Sequence, residues 1–130
     1  MFVGMLNEEQ RRALFVLAHR LVNADGIVVR AELRALGALR NELDSVDHGF
    51  DPRDESELAD LFDSRPARVV ALLELLALAR SDHDYCLDEE SMITTVAHEM
   101  RVDFTDLERL DAWVQEHLLH IEEALALMAG

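Results

Sequence analysis

The sequence predicts an all-α protein, a compact bundle of six to seven helices that forms one domain over residues 1–130. Half of the residues are apolar, whereas only two are proline and five are glycine, so breaks in regular structure are few. Apolar residues recur at intervals of three and four along nearly the whole chain, and no segment alternates as a half-buried strand does. Helix start signals recur between the apolar runs, which gives the third indication of a helical bundle.

The first two helices are expected to begin near Asn7 and near Arg30. Asn7 is a suitable N-cap, and Gln10 completes a capping box three residues later. Gly26 is expected to end the first helix after about four turns, because glycine readily adopts the left-handed conformation. The second helix should pack through leucines at helical spacing, namely Leu33, Leu36, Leu39 and Leu43.

Two further helix starts follow a polar loop at residues 44–51. Asp51 and Pro52 are expected to open a short acidic helix, with the aspartate as cap and the proline in the first turn. Ser64 and Pro66 repeat this signal for the fourth helix. The fourth helix is apolar on almost every side, which predicts that it lies at the centre of the bundle.

The last part of the chain is also helical in pattern. Asp88 is the expected cap of a fifth helix, and Thr105 with Glu108 forms another predicted capping box. A helical stretch then runs from about Asp106 to Met128, either as one long helix or as two shorter ones. Trp113, within that stretch, is expected to pack in the core.

The charge of the chain limits its partners. Twenty-seven acidic residues and twelve arginines, with no lysine, give a net charge of −15. Nucleic acids and anionic membrane surfaces are disfavoured because both attract cationic side chains, whereas a protein partner with a basic surface is favoured. The stretch Asn41–Asp63 holds nine acidic residues and one basic residue, and we expect it to be the docking surface for such a partner.

Other features bear on location and chemistry. No secretion signal is visible in the first twelve residues, and the most apolar run, Val69–Ala79, is too short to cross a bilayer. The single cysteine, Cys86, excludes an internal disulfide and suits a reducing compartment. We therefore expect a cytoplasmic protein without membrane insertion. The absence of lysine also excludes a phosphate-binding P-loop and a lysine Schiff base.

Two acidic turns between consecutive helices resemble each other. Asp25 precedes Glu32 by seven residues, and Asp82 precedes Glu89 by the same interval, so a shift of 57 residues superposes the two pairs. This spacing predicts a weak internal duplication of a helix–acidic turn–helix unit. Four carboxylates brought together would suit a divalent cation such as Ca²⁺, Mg²⁺ or Mn²⁺. A simpler interpretation stays open, because Asp-Gly commonly ends helices and a glutamate in the first turn favours the helix dipole.

The stretch Leu21–Gly26 followed by Glu32, with a similar pattern about sixty residues later, resembles the TerB-like family. That family is named after the tellurite-resistance protein TerB, and a related domain is fused to a membrane-anchored J-domain co-chaperone. The resemblance spans roughly residues 8–118 and departs from the family pattern at His83, where glycine is usual. It implies an all-helical fold with pseudo-two-fold character and a bacterial stress-response setting. It also implies acidic residues that bind a divalent metal, which by position are Asp25, Glu32, Asp82 and Glu89.

These observations together predict a non-enzymatic adaptor of the stress-response or tellurite-resistance type, with a cation at its acidic turns and a basic protein partner. Two alternatives remain open. One is a metal-dependent hydrolase in which the turn carboxylates activate water. The other is a structural homodimer joined through the apolar C-terminal helix, Leu118–Met128.

Overall fold

The computed structural model describes residues 2–24, 30–43, 51–81 and 85–130, and within the second range it describes the side chains from residue 33 onward. These residues form six α-helices and a short 3-10 helix, and they contain no strand, which confirms the predicted all-α class. The elements are a 3-10 helix Val3–Met5, α1 Glu8–Val22, α2 Arg30–Glu42, α3 Glu55–Ala59, α4 Arg65–Ala79, α5 Leu87–Glu99 and α6 Phe104–Ala129.

Helices α1 and α4 begin at the predicted caps. The Asn7 side chain accepts a hydrogen bond from the Gln10 amide at 2.8 Å, and the Gln10 side chain accepts one from the Asn7 amide at 3.0 Å. The Ser64 hydroxyl accepts a bond from the Ala67 amide at 3.3 Å, and Pro66 lies in the first turn of α4. Both start signals are local, so the sequence is sufficient to predict them.

The predicted start of α3 is wrong by three residues. Asp54, not Asp51, is the N-cap, and its carboxylate accepts a hydrogen bond from the Glu57 amide at 2.9 Å. The Asp51 carboxylate instead accepts bonds from the amide and guanidinium of Arg53 at 2.8 to 3.0 Å. The strong charge-assisted bond to Arg53 occupies the side chain that the sequence suggested as the cap.

The predicted starts of α5 and α6 each lie two residues too far along the chain. Cys86 is the N-cap of α5, so Asp88 lies inside the first turn. Asp103 caps α6 by accepting a hydrogen bond from the Asp106 amide at 2.8 Å, in place of the predicted box at Thr105. Acidic residues are favourable both at the cap and within the first turn, so residue type alone does not identify the cap position.

The buried face of α2 includes three of the four predicted leucines. Leu36, Leu39 and Leu43 are buried, whereas Leu33 is 54% exposed. Successive residues turn by about 100° around a helix, so Leu33 lies roughly 90° away from the centre of the face formed by the other three. Leu33 follows the three-to-four spacing of the other leucines, but it lies beyond the edge of the buried side of α2.

Helix α4 lies at the centre of the bundle, as predicted. It contacts α1, α2, α5, α6 and the 3-10 helix. Leu72, Leu75 and Leu76 are at most 1% exposed, and each contributes about 1.5–3 kcal/mol through its burial. Even Glu74, on the same helix, is buried. A helix surrounded by four others has no solvent-facing side, which explains why its sequence is apolar all round.

The helix pairs α1–α2 and α4–α5 have matching bounds. Adding 57 to the first and last residue numbers of α1 gives those of α4, and the same shift converts the bounds of α2 into those of α5. Every buried residue of α1 has a buried counterpart in α4. The buried leucines Leu36 and Leu39 of α2 correspond to the buried Ile93 and Val96 of α5. The residues that directly follow these helices, Leu43 and Met100, are also both buried. The helices also make reciprocal cross-contacts, α2 with α4 and α5 with α1. This correspondence favours the predicted internal duplication.

The remaining helices break the approximate symmetry. Helix α3 packs on α1 and α6 packs on α4, as two-fold partners would, but both of them also contact α5. Helix α6 is one continuous helix, which decides between the two predicted possibilities for this part of the chain. Over the described ranges, no helix combines the length and apolar character that a bilayer crossing requires.

Candidate functional site

The four candidate metal ligands are described to different extents. Asp25 and Asp82 lie outside the described residues, as does Gly26, the expected end of the first helix. Glu32 is the third residue of α2, and its side chain is likewise outside the described part. Glu89 is the third residue of α5. The two glutamates therefore occupy equivalent helix positions, which agrees with the 57-residue shift.

Glu89 has a structural role of its own. Its side chain is buried, and Oε1 accepts a hydrogen bond from the Cys86 amide at 3.4 Å. This bond satisfies one of the amides that a helix N-terminus leaves without a helical partner. The positive end of the helix dipole also favours a carboxylate at this position. Glu89 thus contributes to the start of α5 whether or not a cation is bound.

Residues that flank the two acidic turns line one groove. The groove is open, has a volume of about 580 Å³, and lies between the end of α1 and the beginnings of α3 and α5. Asn23 and Ala24 line it and directly precede Asp25 in the chain, and Asp88 lines it next to Glu89. The fold therefore brings one flank of each turn to this groove, whereas Arg80, which precedes Asp82, lines a different pocket. The remaining lining residues are His19, Arg20, Glu55, Ser91, Met92 and Thr95.

Arg20 holds one wall of this groove in place. Its Nη2 donates hydrogen bonds to the carbonyl oxygens of Asp51 and Arg53 at 2.7 and 2.6 Å, and its Nη1 lies 3.8 Å from Glu55 Oε1. A planar guanidinium carries five N–H groups, so it can bind two carbonyls and still face a carboxylate. The end of α1 is thereby tied to the segment that leads into α3.

Four carboxylates in the described part of the predicted acidic docking stretch have hydrogen-bond partners within the fold. The Arg53 side chain, followed by its amide, donates hydrogen bonds that lower the pKa of Asp51 from 3.8 to about 2. The carboxylates of Asp54 and Glu57 belong to the capping box of α3. The carboxylate of Asp63 accepts a hydrogen bond from the Gln10 side chain at 3.2 Å. These carboxylates stabilise local structure, and three of them, Asp54, Glu57 and Asp63, are also exposed to solvent.

A second charged cluster joins α4 to α6. Arg80 donates two hydrogen bonds to Asp111, from Nε to Oδ1 at 2.6 Å and from Nη2 to Oδ2 at 2.7 Å. Its guanidinium also lies 4.5 Å from the centroid of the Tyr85 ring, within the range of a cation–π interaction. Burial, and then the negative charge of Asp111, raise the pKa of Tyr85 above its ordinary value of 10.0. The sequence contains no signal for the central pair of this cluster, because Arg80 and Asp111 are 31 residues apart in the chain.

The prediction that Trp113 packs in the core is wrong. Its side chain is 41% exposed, stacks on His117 with ring centroids 5.0 Å apart, and lies 6.2 Å from the Phe2 ring. Val114, the next residue, is fully buried. A step of one residue turns about 100° around a helix, and this step takes the indole from the packed side of α6 to its edge.

The structure bears on the predicted metal site, and comparisons with known proteins bear on the resemblance to a family. Within the described ranges, no group of three or more histidine, cysteine, aspartate or glutamate side chains is arranged to hold a metal ion. Comparison with protein-family models, curated proteins and solved structures finds no match. The functional proposal therefore depends on the geometry of this chain and on the turns whose flanks meet at the groove.

Proposed function

We propose that this protein is a non-enzymatic adaptor that holds a divalent cation where its two acidic turns meet and that binds a protein partner with a basic surface. Its proposed setting is the one that the resemblance implies, a bacterial stress response of the tellurite-resistance type. The observation that carries the proposal is the single groove lined by residues that flank both turns.

The repeated architecture supports a shared cation site. Glu32 and Glu89 hold the same position in α2 and α5, and each follows an aspartate by seven residues, Asp25 and Asp82. Each repeat would contribute one aspartate and one glutamate. Ca²⁺, Mg²⁺ and Mn²⁺ prefer carboxylate oxygens, and a cation would reduce repulsion within a chain of net charge −15.

Isothermal titration with CaCl₂, MgCl₂ and MnCl₂ tests the cation part of the proposal. We expect heat of binding with at least one of the three, and a melting temperature that rises more than in NaCl of equal ionic strength. A ligand at a hundred times its dissociation constant stabilises the folded state by about 2.7 kcal/mol. Asp25→Asn and Asp82→Asn should each weaken binding about tenfold or more, because each removes a charged ligand of nearly unchanged size.

Glu108→Gln is the matched control, because it removes one negative charge from an exposed position on α6. It should bind the cation as the unmodified protein does. Binding that survives both turn substitutions would place the cation elsewhere. Absence of heat, together with an unchanged melting temperature, would eliminate the cation part of the proposal.

A further inference from the structure

The C-terminal part of α6 extends beyond the rest of the bundle. Arg80, the C-cap of α4, pairs with Asp111 and shares a pocket with Leu118 and Leu119, so α4 ends beside the middle of α6. Helix α6 continues from there to Ala129, over about 16 Å at 1.5 Å per residue. All residues from Leu119 onward are exposed except Ala124, which is half-buried.

One apolar face of α6 runs from the bundle into this extension. Leu107, Val114, Ile121 and Met128 follow one another at intervals of seven residues, nearly two helical turns, so they lie on the same side. Their exposed fractions are 7%, 0%, 44% and 80%. The face that packs on the bundle near its start is therefore increasingly uncovered towards its end. Leu125 lies on this face and is 58% exposed.

The half of α6 that carries this face is negatively charged. Glu116, Glu122 and Glu123 lie in the second half of α6, and the last arginine of the chain is Arg109. The histidines of this half are neutral in the charge count. Glu122 lies at one edge of the apolar face, about 90° from its centre, whereas Glu116 and Glu123 lie on the far side of the helix. A partner at this face would therefore meet a half-helix that carries carboxylates and no arginine.

A small pocket adjoins the apolar face. It has a volume of about 180 Å³ and is lined by Arg80, Gln115, Leu118 and Leu119. The charge of Arg80 is held by the two short bonds to Asp111. The two leucines thus offer an apolar wall to a side chain of a partner, and buried apolar anchors of this kind contribute most of the binding energy in many interfaces.

A second copy of the chain suits this surface less well than a basic partner does. Self-association would bring together two chains that each have a net charge of −15, which is unfavourable. The extension is about 16 Å long, and a helix is about 10–12 Å across. The area of one side of the extension, which is the product of these lengths, is much smaller than the roughly 800 Å² that each partner buries in a stable interface. A modest apolar contact between oppositely charged partners is typical of a transient complex with an amphipathic helix.

We propose that the second half of α6, with Ile121, Leu125 and Met128 at its centre and the pocket at Leu118 beside them, docks an amphipathic helix of a partner protein that also carries basic residues. This inference rests on the proposed function in one respect, because it locates the surface at which the adaptor meets its basic partner. It does not depend on the cation.

The test uses the full chain and a fluorescein-labelled amphipathic peptide of about 18 residues, with leucines on one face and lysines on the other. Fluorescence anisotropy should show binding that weakens with added salt. Leu125→Asp should weaken binding about tenfold or more by placing a charge in the apolar contact. Leu127→Asp is the matched control, since it adds the same charge to the same helix roughly 200° away, and it should change the affinity by less than about twofold.

Both substituted leucines are highly exposed, so circular dichroism should show that both variants fold as the unmodified chain does. The added aspartate increases the long-range attraction for a basic peptide, so weaker binding by the Leu125 variant would come from the damaged apolar contact. A peptide with glutamates in place of its lysines should not bind.

Four results would overturn the inference. They are no binding of the lysine peptide, an unchanged affinity of the Leu125 variant, an equal loss in both variants, and a dimer in analytical ultracentrifugation that Leu125→Asp dissociates. The last of these would assign the face to a second copy. The cation titration has its own turn variants, so a failure there leaves the docking result intact, and a failure here leaves the cation result intact.

Discussion

Arg101 joins α5 to α6 in the left-handed backbone conformation, with φ of 60°. Its amide donates to the His98 carbonyl at 3.0 Å, and the Val102 amide donates to the Ala97 carbonyl at 2.9 Å. This pair of hydrogen bonds closes the end of α5 as a Schellman motif, in which glycine usually occupies the left-handed position. A non-glycine residue there costs about 1–2 kcal/mol, so the connection carries local strain.

Arg101→Gly should therefore raise the free energy of unfolding by about 0.5–1 kcal/mol, because relief of the strain exceeds the extra backbone entropy that glycine loses on folding. Urea denaturation measures the change. Arg101→Ala is the control, since it removes the same charge and keeps a Cβ atom in the left-handed conformation. Equal stabilities of the two variants would show that backbone strain is not the cause.

Tyr85 is the single tyrosine of the chain, and it lies partly buried beneath Arg80. Burial is the main reason that its pKa is raised above the ordinary 10.0, and the nearby carboxylate of Asp111 adds to the effect. The folded state therefore resists deprotonation that the unfolded chain undergoes. This difference favours folding in full below pH 10 and is lost as the pH rises further.

Absorbance at 295 nm should show that Tyr85 in the folded protein ionises at a pH well above that of free tyrosine. Once the protein is unfolded in urea, Tyr85 should ionise in the ordinary pH range. Stability measured above pH 10 should fall less steeply in Tyr85→Phe than in the unmodified chain, because the variant has no phenol to deprotonate. An ordinary titration midpoint in the folded protein would contradict the assigned burial.

At the scale of elements, α4 and α6 show two outcomes for an apolar helix. Leu72 on α4 is fully buried between neighbouring helices, whereas Leu125 on α6 is 58% exposed although it lies on the apolar face of its helix. The two leucines have the same chemistry and lie within regular helix. Their surroundings, rather than their local sequence, decide what each contributes to stability.

Leu72→Ala should lower the free energy of unfolding by about 2–5 kcal/mol, because it leaves a cavity in the centre of the bundle. Leu125→Ala should change it by no more than about 0.5 kcal/mol, since the side chain is already in contact with water. Chemical denaturation of the two variants compares the effect of the same substitution, leucine to alanine, at a buried and at an exposed position. A large loss at Leu125 would mean that the extension is covered in solution.

At the scale of the whole molecule, the net charge of −15 is expected to oppose folding through self-repulsion. Added salt should therefore raise the melting temperature, because the screening length falls from about 30 Å in 0.01 M salt to about 8 Å in 0.15 M. Differential scanning calorimetry in increasing NaCl measures this. A melting temperature that falls with salt would show that ion pairs such as Arg80–Asp111 outweigh the general repulsion.

The matched helix bounds are also a property of the whole molecule. The sequence predicted the 57-residue shift mainly from two Asp–Glu pairs. The same shift also superposes apolar residues such as Leu36 on Ile93, but amphipathic helices align easily by chance. The structure adds that the buried residues of α1 and α2 have buried counterparts in α4 and α5. Burial depends on which helices surround a residue, so apolar spacing alone could not show that the matched residues are buried in both helix pairs.

The sequence by itself determined that the chain is helical and where the strongest helix starts lie, as at Asn7 and Ser64. It also determined that α4 is central, because a helix without a polar side needs neighbours all round. These features depend on residues within a few positions of one another, so local spacing and capping chemistry were enough to predict them.

Only the tertiary structure decided which apolar faces are covered and which distant residues meet. The pairing of Arg80 with Asp111, the groove between α1 and α5, and the exposure of Trp113 all depend on how the helices cross. Helical periodicity shows which side of a helix is apolar, but it contains no information on how far the neighbouring helix extends. The second half of α6 is uncovered because α4 ends beside its middle, and that relation between two helices exists only in the folded chain.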